Sequence, residues 1–454
     1  MKSRVLAVWD YLHTSFWFVP TLMALAAVGL SVGTLRLDSG PVGSNLARQV
    51  SWIWSGQAEG ARSVLSTVAE SMITVAGTVF SITIAALTLA SSQFGPRLLR
   101  NFSRDIGNQI VLGTFVGTFL YSLLILRTVE GKTDSSSGFV PNLSITVAVL
   151  LAAASVGVLI YFIDHLTTTI QAEHLIATVA AELRVDIARL RPPAPPGPGS
   201  AKLPTGAVTP EGEPLVVRSI KAGYVQYVNR DGLVATAEER DLVIRMIARP
   251  GDFVSKGEAI LETWCASDRL PNAVQKDLRG AFSLGARRTP VQDVRYGVLQ
   301  LAEIAMRALS PAINSPTIAM GCTDWLADAL AELARADRPT GTRLGASGRP
   351  RLLEQPVGLD ELIRLAFDPI LSYGANSAMV IERLLGAIAR LAHQSRPEDR
   401  PVLLREAELA AEAARAALST HEDRRRVEAG VHEARQALVA DGPNQEGSDR
   451  CRLG

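Results

Sequence analysis

Four stretches of the chain, 16–35, 71–90, 110–126 and 145–163, contain no Asp, Glu, Lys, Arg or His. Each is close to the ~20 apolar residues that carry a helix across the ~30 Å hydrocarbon core of a bilayer. The pattern predicts a transmembrane region over 1–191, with spans at about 16–35, 64–90, 110–127 and 145–169. The first stretch follows Lys2 and Arg4, as a signal peptide would. Its apolar run is too long for one and lacks a small-x-small cleavage site, so it reads as a retained anchor. Trp9, Tyr11 and Trp17 at its start suit an interfacial aromatic belt.

The second span differs from the others. Thr67, Ser71, Thr74, Thr78, Ser81, Ala85, Thr88 and Ser92 recur at alternating steps of four and three. That is a seven-residue repeat whose inner positions are small and almost all polar, while Val, Ile, Leu and Phe fill the remaining faces. Glu70 lies one position from this stripe. Two readings arise: a packing face whose hydroxyls bond across a helix interface, or the lining of an aqueous path between copies of the helix. In the third span Gly113 and Gly117 form a G-x-x-x-G pair that favours close helix packing. The fourth ends in Asp164-His165 and Thr167-Thr168-Thr169, and its periodicity runs on to Leu190. One long helix leaving the membrane is expected there, with Asp164 and His165 either a proton-sensitive pair or simply interfacial.

Residues 192–214 hold eight prolines in 23 residues, an extended linker expected to uncouple the membrane helices from the C-terminal region. Residues 215–265 turn to β character, with strands at Leu215–Val217, Gly223–Val228 and Leu242–Ile247. The run Arg249–Ile260 looks like the half-barrel turn of biotinyl and lipoyl carriers. It lacks their lysine motif, and Lys221 and Lys256 read as surface residues, so no cofactor is expected. Residues 266–440 are helical in pattern, and 441–454 read as a disordered tail. Arg307–Ile313 is weakly echoed by Arg364–Ile370. The expected fold class is a membrane α-helical N-terminal module of four transmembrane helices with a cytosolic α+β region: a small β half-barrel-like module, then an all-helical domain.

Charge narrows the classes. With 46 basic and 45 acidic residues the net charge is +1, which argues against nucleic acid as a partner. The basic residues cluster in the segments before the first span (Lys2, Arg4), between the second and third (Arg97, Arg100, Arg104) and after the fourth (Arg184, Arg189, Arg191). The positive-inside rule then places both termini in the cytoplasm. Cys265, Cys322 and Cys451 show no paired spacing and read as thiols in a reducing compartment. No phosphate loop, nucleophile elbow, dinucleotide fingerprint or metal-ligand spacing occurs. No nucleophile–base set or paired carboxylates emerge from 215–440, so an enzyme is not expected.

The turn Ser91-Ser92-Gln93-Phe94-Gly95-Pro96-Arg97 is distinctive. So are Arg288-Thr289-Pro290-Val291-Gln292-Asp293 and Ala308-Leu309-Ser310-Pro311-Ala312-Ile313-Asn314. With four spans and a C-terminal soluble region, these resemble a widespread bacterial family of predicted membrane proteins of unknown function, over about residues 10–440. The resemblance implies a multi-pass protein of the bacterial inner membrane, with the lipid bilayer as its first partner. That pattern has Asp after the Asn; Ser315 stands there instead. Two functions are expected from the chain: a homo-oligomeric channel or pore lined by the second span and gated by the cytosolic region, or a membrane-anchored sensor or scaffold that binds a cytosolic protein or small ligand.

Overall fold

The computed structural model describes residues 17–40, 54, 56–94, 105–131, 138–169, 171–189, 210, 212–265, 269–335 and 341–439. Gly95, Pro96 and Arg97, most of the proline-rich linker, Cys451 and the C-terminal tail lie outside them. The chain divides into two compact units, Met1–His174 and Leu175–Gly454.

The first unit holds the four expected membrane helices: α1 (Phe18–Asp38), α2 (Ala58–Phe94), α3 (Ile106–Leu126) and α4 (Asn142–Thr169). Helices are the only open-ended way to satisfy backbone polar groups in hydrocarbon. The central helix is α3: more than half of its apolar stretch is buried, against about a quarter in each of the other three. It touches each of the others. Gly113 and Gly117 are where it meets α1, since a Cβ at 113 would come within 3.2 Å of Pro20 Cα, and one at 117 would lie 3.6 Å from Met23 O. On its second side Val111, Leu112 and Phe115 pack against Met72, Ala76 and Val79 of α2.

Polar groups lock one end of the bundle. Asp38, closing α1, accepts from the backbone N–H groups of Leu143 (3.0 Å) and Ser144 (2.9 Å) and from the Ser144 hydroxyl (2.6 Å). Those amides are orphan donors at the start of α4, so one carboxylate both caps that helix and fastens the first span to the last. Beside it the buried Tyr121 hydroxyl lies 2.9 Å from Thr34 Oγ1 and donates to Ser144 O at 3.1 Å.

The expected long exit helix is interrupted. α4 ends at Thr169 and α5 runs Ala172–Arg189. The Thr167 and Thr168 hydroxyls bond to the Asp164 carbonyl (2.8 and 3.2 Å), competing for a helix acceptor at the break. The second unit begins at Leu175, ahead of the linker. A Cβ at Gly297 would lie 3.0 Å from Leu183 Cδ1, and Arg184 stacks over Trp325 at 5.2 Å. The linker therefore does not separate α5 from the later sequence, because α5 is packed into that same unit.

Beyond the linker come β1 (Leu215–Arg218), β2 (Gly223–Val228), α6 (Arg230–Glu239), β3 (Val243–Met246), β4 (Phe253–Val254), β5 (Ala259–Trp264), α7 (Asn272–Gly280) and β6 (Phe282–Gly285). Helices α8 (Val294–Ala308) and α9 (Pro316–Arg335) come next, then β7 (Thr342–Leu344) and β8 (Pro350–Leu353). The chain closes with α10 (Leu359–Gly374), α11 (Ala378–Ala392), α12 (Arg400–Ala417) and α13 (His421–Val439). Among the described residues the strands form two small sheets, in the orders β1-β5-β3-β8-β7 and β4-β2-β6, and no closed barrel. Three strands come from beyond 265, so the β module is completed by later sequence.

From α8 onward the helices pair into hairpins, α8–α9, α10–α11 and α12–α13, with α8 against α10, α9 against α11, α10 against α12 and α11 against α13. The echoed segments fall in successive hairpins but differ in detail: Pro311 lies after α8, whereas Pro369 sits inside α10.

The close approach at Gly113 gives a direct test. Gly113→Leu should destabilise the bundle by roughly 1–3 kcal/mol through overpacking against α1. Gly157→Leu, where nothing lies within 4 Å, should leave thermal unfolding in detergent near that of the wild type.

Candidate functional site

The hydroxyl stripe of α2 faces away from its own bundle. Thr67, Ser71, Thr74, Thr78, Ser81, Ala85, Thr88 and Ser92 are all exposed, and so is Glu70. The buried row of the same helix is Ala61, Leu65, Ala69, Met72, Ala76, Val79, Thr83, Ala86 and Ala90. At about 100° per residue the two rows lie on nearly opposite faces. The helix has already spent its packing surface on α3, so among the described residues the stripe is not an intrachain packing face.

The hydroxyls are satisfied by their own helix. Thr67 donates to Ser63 O (2.8 Å), Thr74 to Glu70 O (2.8 Å), Thr78 to Thr74 O (3.1 Å), Ser81 to Gly77 O (2.8 Å) and Thr88 to Ile84 O (2.9 Å). Ser92 donates to Leu89 O at 2.8 Å. A hydroxyl has one hydrogen and two lone pairs. With each of these hydrogens turned inward, those side chains show the outside acceptor oxygens. Glu70 adds a carboxylate, held by the Ser66 hydroxyl at 3.0 Å. α2 has 37 residues, about 55 Å at 1.5 Å per residue, so it outruns a ~30 Å hydrocarbon core.

His165 does not pair with Asp164, which is exposed. Its Nε2 lies 2.7 Å from Asp105 Oδ2, and its ring stacks on Tyr161 with centroids 5.3 Å apart. Asp105 also accepts from Gly107 N–H at 2.9 Å as the N-cap of α3. The histidine thus ties the end of α4 to the start of α3.

The motif residues 288–293 form a different centre. Asp293, 1% exposed, receives two bonds from Arg288, at 2.5 and 3.1 Å. Arg295 donates to Asp252 (2.7 Å) and to the Pro250 carbonyl (2.7 Å), and its guanidinium lies 3.4 Å from Glu361. Arg249 holds Glu361 through two bonds, at 3.0 and 3.1 Å. Burial works against the charge on Arg295, yet the carboxylates of Asp252, Asp293 and Glu361 outweigh it and hold its pKa above the ordinary value. Gly251, at φ +90°, is required here, because a Cβ would overlap Asp293 and sit 2.9 Å from Arg288 Nε. Gln292, at φ 63°, accepts from Val228 N–H (3.0 Å) and donates to Val228 O (3.2 Å), taking the place of a strand neighbour for β2. The motif is thus an ionic joint between the β module and α8 and α10.

The other motif shapes the α8–α9 turn. Ser310 Oγ donates to Arg307 O at 2.6 Å, Pro311 comes next, and Asn314 at φ 48° donates to Ser310 O at 2.9 Å. Ser315 stands immediately before α9, a position where Ser and Asp both serve as N-caps. Gln93 and Phe94 lie in the last turn of α2. Cys322 is buried, which raises its thiol pKa, and Cys265 is half-buried against the β module.

One carboxyl pair has no counterpart in any sequence motif. Glu406 of α12, 1% exposed, accepts from Arg405 Nη1 at 2.8 Å. Its Oε2 and Asp368 Oδ1 of α10 are both buried, and with both carboxyls ionised neither oxygen has a donor. Burial, reinforced by the Asp368 carboxyl and opposed by Arg405 and Arg364, pushes the Glu406 pKa up to about 7. Nothing in the sequence joins the two positions, because it is the stacking of α10 on α12 that sets them together. Among the described residues no group of three His, Cys, Asp or Glu could hold a metal ion.

Residues 13–390 match the family described as "Predicted membrane protein (DUF2254)". Proteins named "uncharacterized" from Mycobacterium bovis and from Mycobacterium tuberculosis are each 31% identical over 398 residues, covering 86% of this chain and 74% of theirs. No solved structure matches the chain.

Two outcomes are expected of these centres. Asp293→Ala removes both bonds of Arg288 and one of the carboxylates around Arg295, and should cost about 3–5 kcal/mol in urea unfolding of the full chain. Glu406 has a folded pKa above its ordinary 4.5, so its stabilising contribution is complete below that value and is lost as pH rises through about 7. Glu406→Gln should therefore gain stability on the wild type at pH 8.5, by roughly 1–3 kcal/mol, and little at pH 4.5.

Proposed function

The chain belongs to that family of predicted membrane proteins, DUF2254, and from this premise we propose that it assembles as a homo-oligomer in which copies of α2 turn their hydroxyl faces toward a shared, cation-permeable path. One observation carries the reading: a polar stripe sustained along a membrane helix points out of its own bundle. A face in contact with lipid tails gains from Leu and Ile, which occupy the flanks at Ile73, Ile82, Ile84 and Leu89. A face that meets water and its own symmetry mates gains from small polar side chains. Acceptor oxygens turned outward, with Glu70 at one end, suit cations better than anions. The second unit continues from the fourth span through α5 and supplies the region that would control opening.

The decisive measurement is current across planar bilayers holding purified protein under a KCl gradient. Thr74→Leu with Ser81→Leu should lower unitary conductance at least several-fold, and Glu70→Gln should reduce cation selectivity. Absence of current from wild-type protein that is folded and oligomeric would refute the pore, and so would wild-type currents from the Leu variant.

A further inference from the structure

A groove of about 600 Å3 lies between α1 and α3, in the half of the bundle that also holds Asp38. Its apolar lining is Val28, Val32 and Leu35 of α1 with Leu124 of α3. Phe139 adds to it from a segment bridged to Glu130 by two backbone bonds, at 2.9 and 3.0 Å. Val28 to Leu35 covers about 10 Å along the helix at ~1.5 Å per residue, most of the depth of one leaflet's ~15 Å of hydrocarbon. Such a surface inside a membrane span meets acyl chains rather than water.

The groove's end is charged. Arg127, directly after α3, and Glu130 both line it. Both are exposed, and among the described residues neither pairs with an opposite charge. Arg127 offers a planar fork of donors matched to phosphate oxygens. Glu130 offers only acceptors, matched to an ammonium group. An anionic headgroup would satisfy Arg127 and be repelled by Glu130, whereas a headgroup with one phosphate and one primary ammonium satisfies both. We propose that the groove binds one zwitterionic glycerophospholipid of the phosphatidylethanolamine type, with an acyl chain along α1, its phosphate at Arg127 and its ammonium at Glu130.

Lipid retention rather than current reads out this site, so its outcome is separate from that of the pore. The full chain, purified and stripped of lipid in mild detergent, is titrated with phosphatidylethanolamine or phosphatidylglycerol, and bound lipid is counted by native mass spectrometry. The wild type should hold one phosphatidylethanolamine per chain and bind phosphatidylglycerol several-fold more weakly. Arg127→Ala should weaken binding about 10-fold, and Glu130→Gln should erase the headgroup preference. Val32→Trp, which fills the groove, should abolish retention, while Leu22→Trp, exposed on α1 outside the groove, should not. Equal binding of both lipids by the wild type overturns the assignment, as does full retention by both Arg127→Ala and Val32→Trp.

Discussion

Because α3 is packed on several sides at once, its three neighbours each commit one face to it and leave the opposite face outward. The approach is close because residue 113 has no side chain, and dispersion between helices falls off within a fraction of an ångström. In water such packing would be driven by the hydrophobic effect. Between membrane helices it rests on close contact and on a few well-placed hydrogen bonds. Asp38 at the start of α4 and Asp105 with His165 supply those bonds at the two ends of α3 and α4. The outward turn of the α2 hydroxyls results from this arrangement, since Ala, Leu, Met and Val already hold the inner face.

The second unit depends on a comparable constraint of another kind. Its sheets are small and its helices stack only on neighbours, so the junction between the two parts needs a rigid joint. Three arginines and three carboxylates provide one around Asp293. Buried charges of this sort contribute more to fixing geometry than to net stability, because desolvation offsets most of their attraction. Gly251 and Gln292 show how tightly the joint fits: one has no room for a Cβ, and the other adopts a left-handed backbone so that its amide can complete β2. The Asp368–Glu406 pair is the opposite case, a buried contact between two carboxyls that raises the pKa of Glu406.

Much of the membrane unit is legible in the chain itself. Charge-free windows of about 20 residues leave the backbone no option but a helix. The alternation of four and three steps from Thr67 to Ser92 fixes those residues on one face wherever the helix lies. The interrupted exit helix at Thr169 is not legible, since periodicity continues across it. The β character of 215–265 is plain in the chain, but the later strands are not, because they are short, and β6 and β8 gain pairing from residues far along the sequence.

The motif at 288–293 marks the same division. Its residues stand out in the sequence, but their task does not, because Arg249, Gly251, Asp252 and Glu361 meet them only after folding. Sequence alone determined which residues share a helix face and where the chain must be helical, since both depend on local geometry and solvent. Tertiary structure decided which way each face points and which charges meet. Those outcomes depend on which helix takes the centre and which segments stack, and no spacing along a single strand of residues encodes them.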